Sequence, residues 1–121
     1  MRDHAKLRAF ALADELVVLV YRLTAGFPRE ELFGLTSQIR RAAISIPSNI
    51  VEGCARDSQA DYLRFLHIAF GSLRELHYQV NLSNRLGFLS EVDTTAIEPK
   101  IIEAEKVLNS LNSLICSLKN Q

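Results

Sequence analysis

Glycine and proline are scarce in this chain: five Gly and three Pro among 121 residues. A fold built from many short strands needs turn residues far more often, so the scarcity argues for a few long regular elements. Neither sign of charge is in excess, with Lys+Arg 14 against Asp+Glu 14. Bulk charge therefore cannot attract nucleic acid, because each phosphate contact needs a nearby cation. Any such binding requires a local basic face. Cysteine is limited to Cys54 and Cys116, with no CxxC and no framework spacing, which reads as reduced thiols in a cytoplasmic protein. Long apolar runs are also missing. The longest tight one, LVVLVY at Leu16–Tyr21, falls well short of the roughly 20 residues that cross a bilayer, so no membrane partner is expected. The stretch MRDHAKLRAF is charged and lacks the apolar core of a secretory signal.

What is present is an ordinary globular balance, 48% hydrophobic and 23% charged, enough for one domain over residues 1–121 with a real core. Punctuation cuts the chain into four helical segments. The first runs from about Asp3 to Ala25 and is stopped by Gly26, Phe27 and Pro28. After the turn PREELFG, a second starts near Thr36 or Ser37, either of which can cap it, and runs to about Ala55. Asp57 or Ser58 opens a third, with Ser58-x-x-Asp61 resembling a capping box, and Gly87 ends it. Ser90 opens the last, which runs to about Lys119, although Pro99 leaves a later start at Thr94 or Thr95 open. Short connections between long helices predict an all-α, antiparallel up-down-up-down four-helix bundle.

The helical faces are more apolar than one bundle needs. On the last helix Ile101, Ala104, Val107, Leu108, Leu111, Leu114, Ile115 and Leu118 fall on one side, with Glu103, Glu105 and Lys106 largely opposite. The first helix carries two stripes, Leu12, Leu16, Leu19 and Leu23, then Leu7, Phe10, Val17, Val18 and Tyr21. On the third, Tyr62, Phe65, Leu66, Ala69, Leu73, Leu76 and Val80 form the main stripe, while Ile68, Leu82 and Leu86 stand elsewhere. Ile44 and Val51 leave the Ile39, Ala43, Ile46 and Ile50 stripe of the second helix in the same way. Second ridges on three helices predict subunit contacts, hence a homo-oligomer.

Pro47 interrupts the second helix, where an interior proline costs about 3 kcal/mol relative to alanine. Ser45, Asn49, Glu52 and Arg56 follow helical spacing beside the core. They form either a ligand cluster or a set of hydrogen bonds that fixes register, and the second reading is favoured because no His or Cys accompanies them. Glu52 and Arg56 are spaced to pair.

At these residues the chain becomes recognisable. QIRRAAISIPSNIVEG (Gln38–Gly53), R-x-S at Arg56–Ser58 and FLHIAFGSLRELHYQVNLSNRLGFL (Phe65–Leu89) resemble the 23S rRNA intervening-sequence proteins. The likeness runs from the first helix through the last. It implies a small bacterial cytosolic protein without enzymatic activity, an antiparallel four-helix bundle, and assembly as a homopentamer. The family is in turn similar to the accessory variability determinant of diversity-generating retroelements, which works with a reverse transcriptase and nucleic acid. Arg40, Arg41, Ser45, Pro47, Asn49, Glu52 and Gly53 match the family motif. The retroelement proteins are markedly basic, whereas this chain is balanced.

A local basic face is nevertheless available. Arg64, His67, Arg74, Tyr78 and Arg85 share one side of the third helix, and Arg40 and Arg41 add two cations on the second. Tyr78 among arginines suits a base stacked on a ring while guanidiniums meet phosphates. A solvated face with local ion pairs is the competing reading, and a scaffold that binds only protein partners is the competing function. Other chemistries fail on their diagnostic residues. A di-iron bundle needs Glu-x-x-His, but Arg64 and Arg74 precede His67 and His77 at that spacing. Cys54, Cys116 and His4 are too scattered for a structural zinc site. FGSL (Phe70–Leu73) lies mid-helix, where Gly71 reads as a point of close helix approach and not as a phosphate loop. No cofactor or metal is expected.

Overall fold

A computed structural model of the chain describes residues 2–119. Four helices carry it: α1 (Arg8–Thr24), α2 (Leu35–Cys54), α3 (Gln59–Arg85) and α4 (Glu91–Lys119). Short 3-10 turns at His4–Lys6 and Arg29–Glu31 precede α1 and α2, and no strand occurs among the described residues.

The ends of these helices follow local chemistry. The Asp3 carboxylate accepts the Ala5 N–H at 3.0 Å and caps the first turn. Leu7 is then extended, so the helix expected from Asp3 divides into a turn and α1. α2 begins at Leu35, ahead of both expected caps. Its first N–H donates to the Glu31 carboxylate at 3.0 Å, so an acid from the preceding turn replaces Thr36 or Ser37. Ser58 does cap α3, its hydroxyl accepting the Asp61 N–H at 3.1 Å. α3 closes in a Schellman arrangement: Gly87 has φ +79°, Phe88 N–H reaches Ser83 C=O at 2.9 Å, and Gly87 N–H reaches Asn84 C=O at 3.0 Å. Ser90 caps α4 through the Asp93 N–H at 3.1 Å, and the helix runs through Pro99 without a later start.

α1 packs on α2 and α4, and α3 packs on α2 and α4. Leu16, Ile39, Ile46, Ile50, Leu66, Leu73, Leu76, Ile97, Ile101 and Leu108 fill the space between them, each essentially out of solvent. At one end, Phe27 and Phe88 bring the α1–α2 and α3–α4 loops together with ring centroids 5.9 Å apart. At the other, Arg2 donates its amide to Cys54 C=O at 3.3 Å and its guanidinium to Arg56 C=O at 2.8 Å.

Burial redraws two of the expected faces and moves one expected point of close approach. In α1 the buried line is Ala9, Ala13, Leu16, Val20 and Thr24, running between the two anticipated stripes. Leu12, Leu19 and Leu23 flank it on one side and Phe10 and Val17 on the other, all half-buried, so these residues form one broad face with small residues at its centre, and of the second stripe Val18 and Tyr21 remain exposed outside it. In α4 Leu114 and Leu118 are exposed, while Glu105 and Asn112 are buried in the row of Ile101, Leu108 and Ile115. Gly71 has open space where a Cβ would stand, whereas a Cβ at Gly53 would lie 2.9 Å from Phe65 Cβ. Close approach of α2 and α3 is thus made at Gly53 and not at Gly71.

Tyr62 and Cys54 sit at that same crossing. Burial, with the adjacent Cys54 adding to it, pushes the Tyr62 hydroxyl up to about 12, and burial raises the Cys54 thiol as well. The unfolded chain releases the tyrosine proton near pH 10 and the folded chain near 12. Its contribution to stability is therefore complete below pH 10 and is lost as pH rises toward 12. Tyr62→Phe should keep its helical circular dichroism to higher pH than the parent. An unchanged alkaline midpoint would contradict this.

Candidate nucleic-acid interface

α3 presents Arg64, His67, Arg74, Tyr78 and Arg85 on its outer side, all five exposed. From the first to the last the helix rises roughly 30 Å. Arg64 lies over the Phe65 ring at 4.5 Å and approaches Asp61 at 3.6 Å, which holds the guanidinium flat against the surface. Arg74 bonds Glu105 of α4 at 2.8 Å, with more than half of its side chain in solvent. Tyr78 is 59% exposed, a ring face open to stacking. Arg85 has no ion pair among the described residues.

The two arginines of α2 are not part of this row. Neighbouring helical residues point about 100° apart, and Arg40 turns to α1 while Arg41 turns to α3. Arg40 Nε donates to Thr24 Oγ1 at 2.8 Å, and its guanidinium covers the Tyr21 ring at 4.6 Å. Arg41 bonds Glu75 at 2.9 Å and Gln38 at 3.1 Å. Arg74, by contrast, faces α4. The expected set of seven residues therefore divides into one α3 row of five and two separate cations.

The polar stripe of α2 spends its bonds inside the chain. Ser45 and Ser72 share a hydrogen bond of 2.8 Å between α2 and α3. Asn49 Nδ2 donates back to Ser45 C=O at 2.8 Å and Ser45 Oγ at 3.0 Å, beside Pro47 in an unbroken helix. Glu52 accepts from Arg56 at 2.7 Å, as its spacing predicts. Of the anticipated subunit-contact residues, Ile44, Val51, Ile68 and Leu86 are exposed and Leu82 is half-buried.

Glu105 escapes the sequence reading. It is only 9% exposed and is held by Arg74 and by His77 Nδ1 at 3.0 Å. The signal was its place one turn after Ile101 and three residues before Leu108, a core register. Glu105→Ala leaves Arg74 and His77 without their acceptor and should cost about 2 kcal/mol in urea unfolding. A loss below about 0.5 kcal/mol, the size of an exposed pair, would contradict the buried assignment. Among the described residues no three His, Cys, Asp or Glu side chains converge as metal ligands. No described helix is long and apolar enough to cross a membrane.

Fold and site together define a four-helix protein whose interior polar groups hold helices together and whose outer α3 face offers cations and a ring. The 23S rRNA-intervening sequence protein profile matches residues 5–110, and the chain belongs to that family. It is also similar to a crystal structure of a protein of unknown function from the S23 ribosomal protein family of Bacteroides thetaiotaomicron. The two are 26% identical with a TM-score of 0.80, over 87% of this chain and 95% of that one. No curated protein matches the chain.

Proposed function

We propose that the chain is a non-enzymatic, cytoplasmic, up-down-up-down bundle that self-assembles, as a homopentamer by resemblance, and serves as an RNA- or DNA-associated accessory protein. The observation that carries this reading is the row of Arg64, His67, Arg74, Tyr78 and Arg85 standing open along α3 in a chain of zero net charge. Guanidiniums about three turns, roughly 15 Å, apart can meet separate phosphates along one strand while Tyr78 stacks on a base. The family's association by name with an intervening sequence of 23S rRNA points the same way. Several copies of a modest patch around a ring gain by avidity. The polar groups that could serve catalysis are spent on Ser45–Ser72, Asn49–Ser45 and Arg74–Glu105–His77 bonds, which supports a role without a reaction.

A scaffold for protein partners alone is the second reading, favoured by Phe33, which is 94% exposed, and by the exposed Val92. Nuclease-treated protein titrated with a fluorescent RNA stem-loop and with duplex DNA separates the two. Saturable binding of either is expected. No binding of either at low salt would leave the scaffold reading.

A further inference from the structure

Two grooves lie on edges of the bundle that share no helix. The first, of about 680 Å³, runs between α1 and α2 and is lined by Tyr21, Leu32, Phe33, Arg40 and Ile44. The second, of about 520 Å³, runs between α3 and α4 and includes Asn84, Glu91, Thr95, Glu98, Pro99 and Ile102. Both reach the end of the molecule where Phe27 meets Phe88.

Their chemistry is complementary. Around the first, the Phe33 ring stands almost wholly in solvent beside exposed Leu32, Tyr21 and Ile44. Among the described residues Arg40 has only neutral partners, the Thr24 hydroxyl and the Tyr21 ring, so no carboxylate offsets its positive charge there. Arg41 beside it is offset by Glu75. Around the second, Glu91 accepts only from the Asn84 amide and Glu98 meets no cation among the described residues. Pro99 has no N–H, so the Thr95 carbonyl lacks its ordinary helical donor on the same wall. A guanidinium requires such acceptors, and Pro99 with Ile102 adds apolar surface for a ring.

We propose that the occupant of the α3–α4 groove is the α1–α2 edge of a second copy of this chain, with Phe33 against Pro99 and Ile102 and Arg40 toward Glu98 and the Thr95 carbonyl. The contact is heterologous, head to tail. Because its two halves lie on different edges, one protomer uses both at once, and the chain of contacts closes into a ring if the rotation closes. It gives a purpose to a proline in a long helix and to a phenylalanine placed in water. This inference rests on the self-assembly part of the proposed function and names the surfaces that make it.

The test uses two variants of the full chain: Phe33→Asp on the first edge, and Thr95→Arg with Glu98→Arg on the second. Circular dichroism verifies that each remains helical, and light scattering after gel filtration reads the mass. Each variant alone should fall from the parent's oligomer to a single chain of 13.6 kDa. Mixed, they should form a complex of one copy of each, since each supplies the edge the other lacks, and grow no further. An unchanged parental mass in both variants overturns the proposal while leaving self-assembly through another surface. Dissociation by Phe33→Asp alone, with the groove variant still assembled, makes the contact isologous and also overturns it. A parent that is itself 13.6 kDa removes the self-assembly reading, and the proposal falls with it.

Discussion

Arg64, Arg74 and Arg85 changed together to Gln should weaken binding of RNA or duplex DNA by roughly a thousandfold, on about 1.5 kcal/mol for each lost charge-assisted phosphate contact. None of the three is buried, so the mass of the assembly should move little, while loss of the Arg74 bond to buried Glu105 should lower stability in urea by about 1–2 kcal/mol. Arg74 has a further consequence. Its removal leaves Glu105 with His77 alone, placing a less compensated carboxylate near the phosphate path. Among the single changes, Arg74→Gln should therefore cost most. The charge-matched control is Arg8, Arg22 and Arg29 changed to Gln, away from the α3 row. Equal loss in that control would show that total charge, and not the α3 face, attracts nucleic acid.

The second large effect lies at Gly53. A methyl group there meets Phe65 Cβ at 2.9 Å, Tyr62 Cδ1 at 3.3 Å and the Tyr62 carbonyl at 3.4 Å. Phe65 Cβ is fixed to its backbone, so relief requires α2 and α3 to move apart. Alanine gains about 1 kcal/mol in helix propensity over glycine, against an overpacking cost of about 1–3 kcal/mol. Gly53→Ala should be destabilised by about 1 kcal/mol net, and Gly53→Leu by 3 kcal/mol or more. Gly71 has no neighbour in the space a Cβ would take, so Gly71→Ala should raise stability by up to about 1 kcal/mol. Opposite shifts of the urea midpoint at the two glycines are the expected result. A higher midpoint for Gly53→Ala would mean that the helices are not held at their closest approach there.

The helices were legible because their ends are written in local chemistry. Ser58, Gly87 and Ser90 act within a few residues of their own positions, so sequence spacing finds them. α2 starts differently because its cap, Glu31, arrives from the preceding turn, and capping rules expect a partner at the helix's own first residue. The α1 face was misdrawn for a related reason. Ala9 and Ala13 lie at the centre of its buried line, and a small residue gives little signal beside leucine. In α3 the row of cations and Tyr78 followed from periodicity alone. What periodicity could not supply was how the cations are paired, since Arg40, Arg41 and Arg74 find Thr24, Glu75 and Glu105 on other helices. The motif was recognisable before its physical meaning was. Gly53 is a contact distance, and Ser45 a bond to Ser72; both need α3 in place.

The most direct measurement of the central claim is the affinity of the nuclease-treated protein for duplex DNA and structured RNA across a salt series. Three phosphate contacts per α3 row predict that log affinity for duplex falls with log salt at a slope of about −2.7 for each row engaged. The Arg64, Arg74 and Arg85 triple variant should flatten the slope by that amount. A parent that binds neither nucleic acid at low salt, or binds with a slope the triple variant leaves unchanged, would contradict the account.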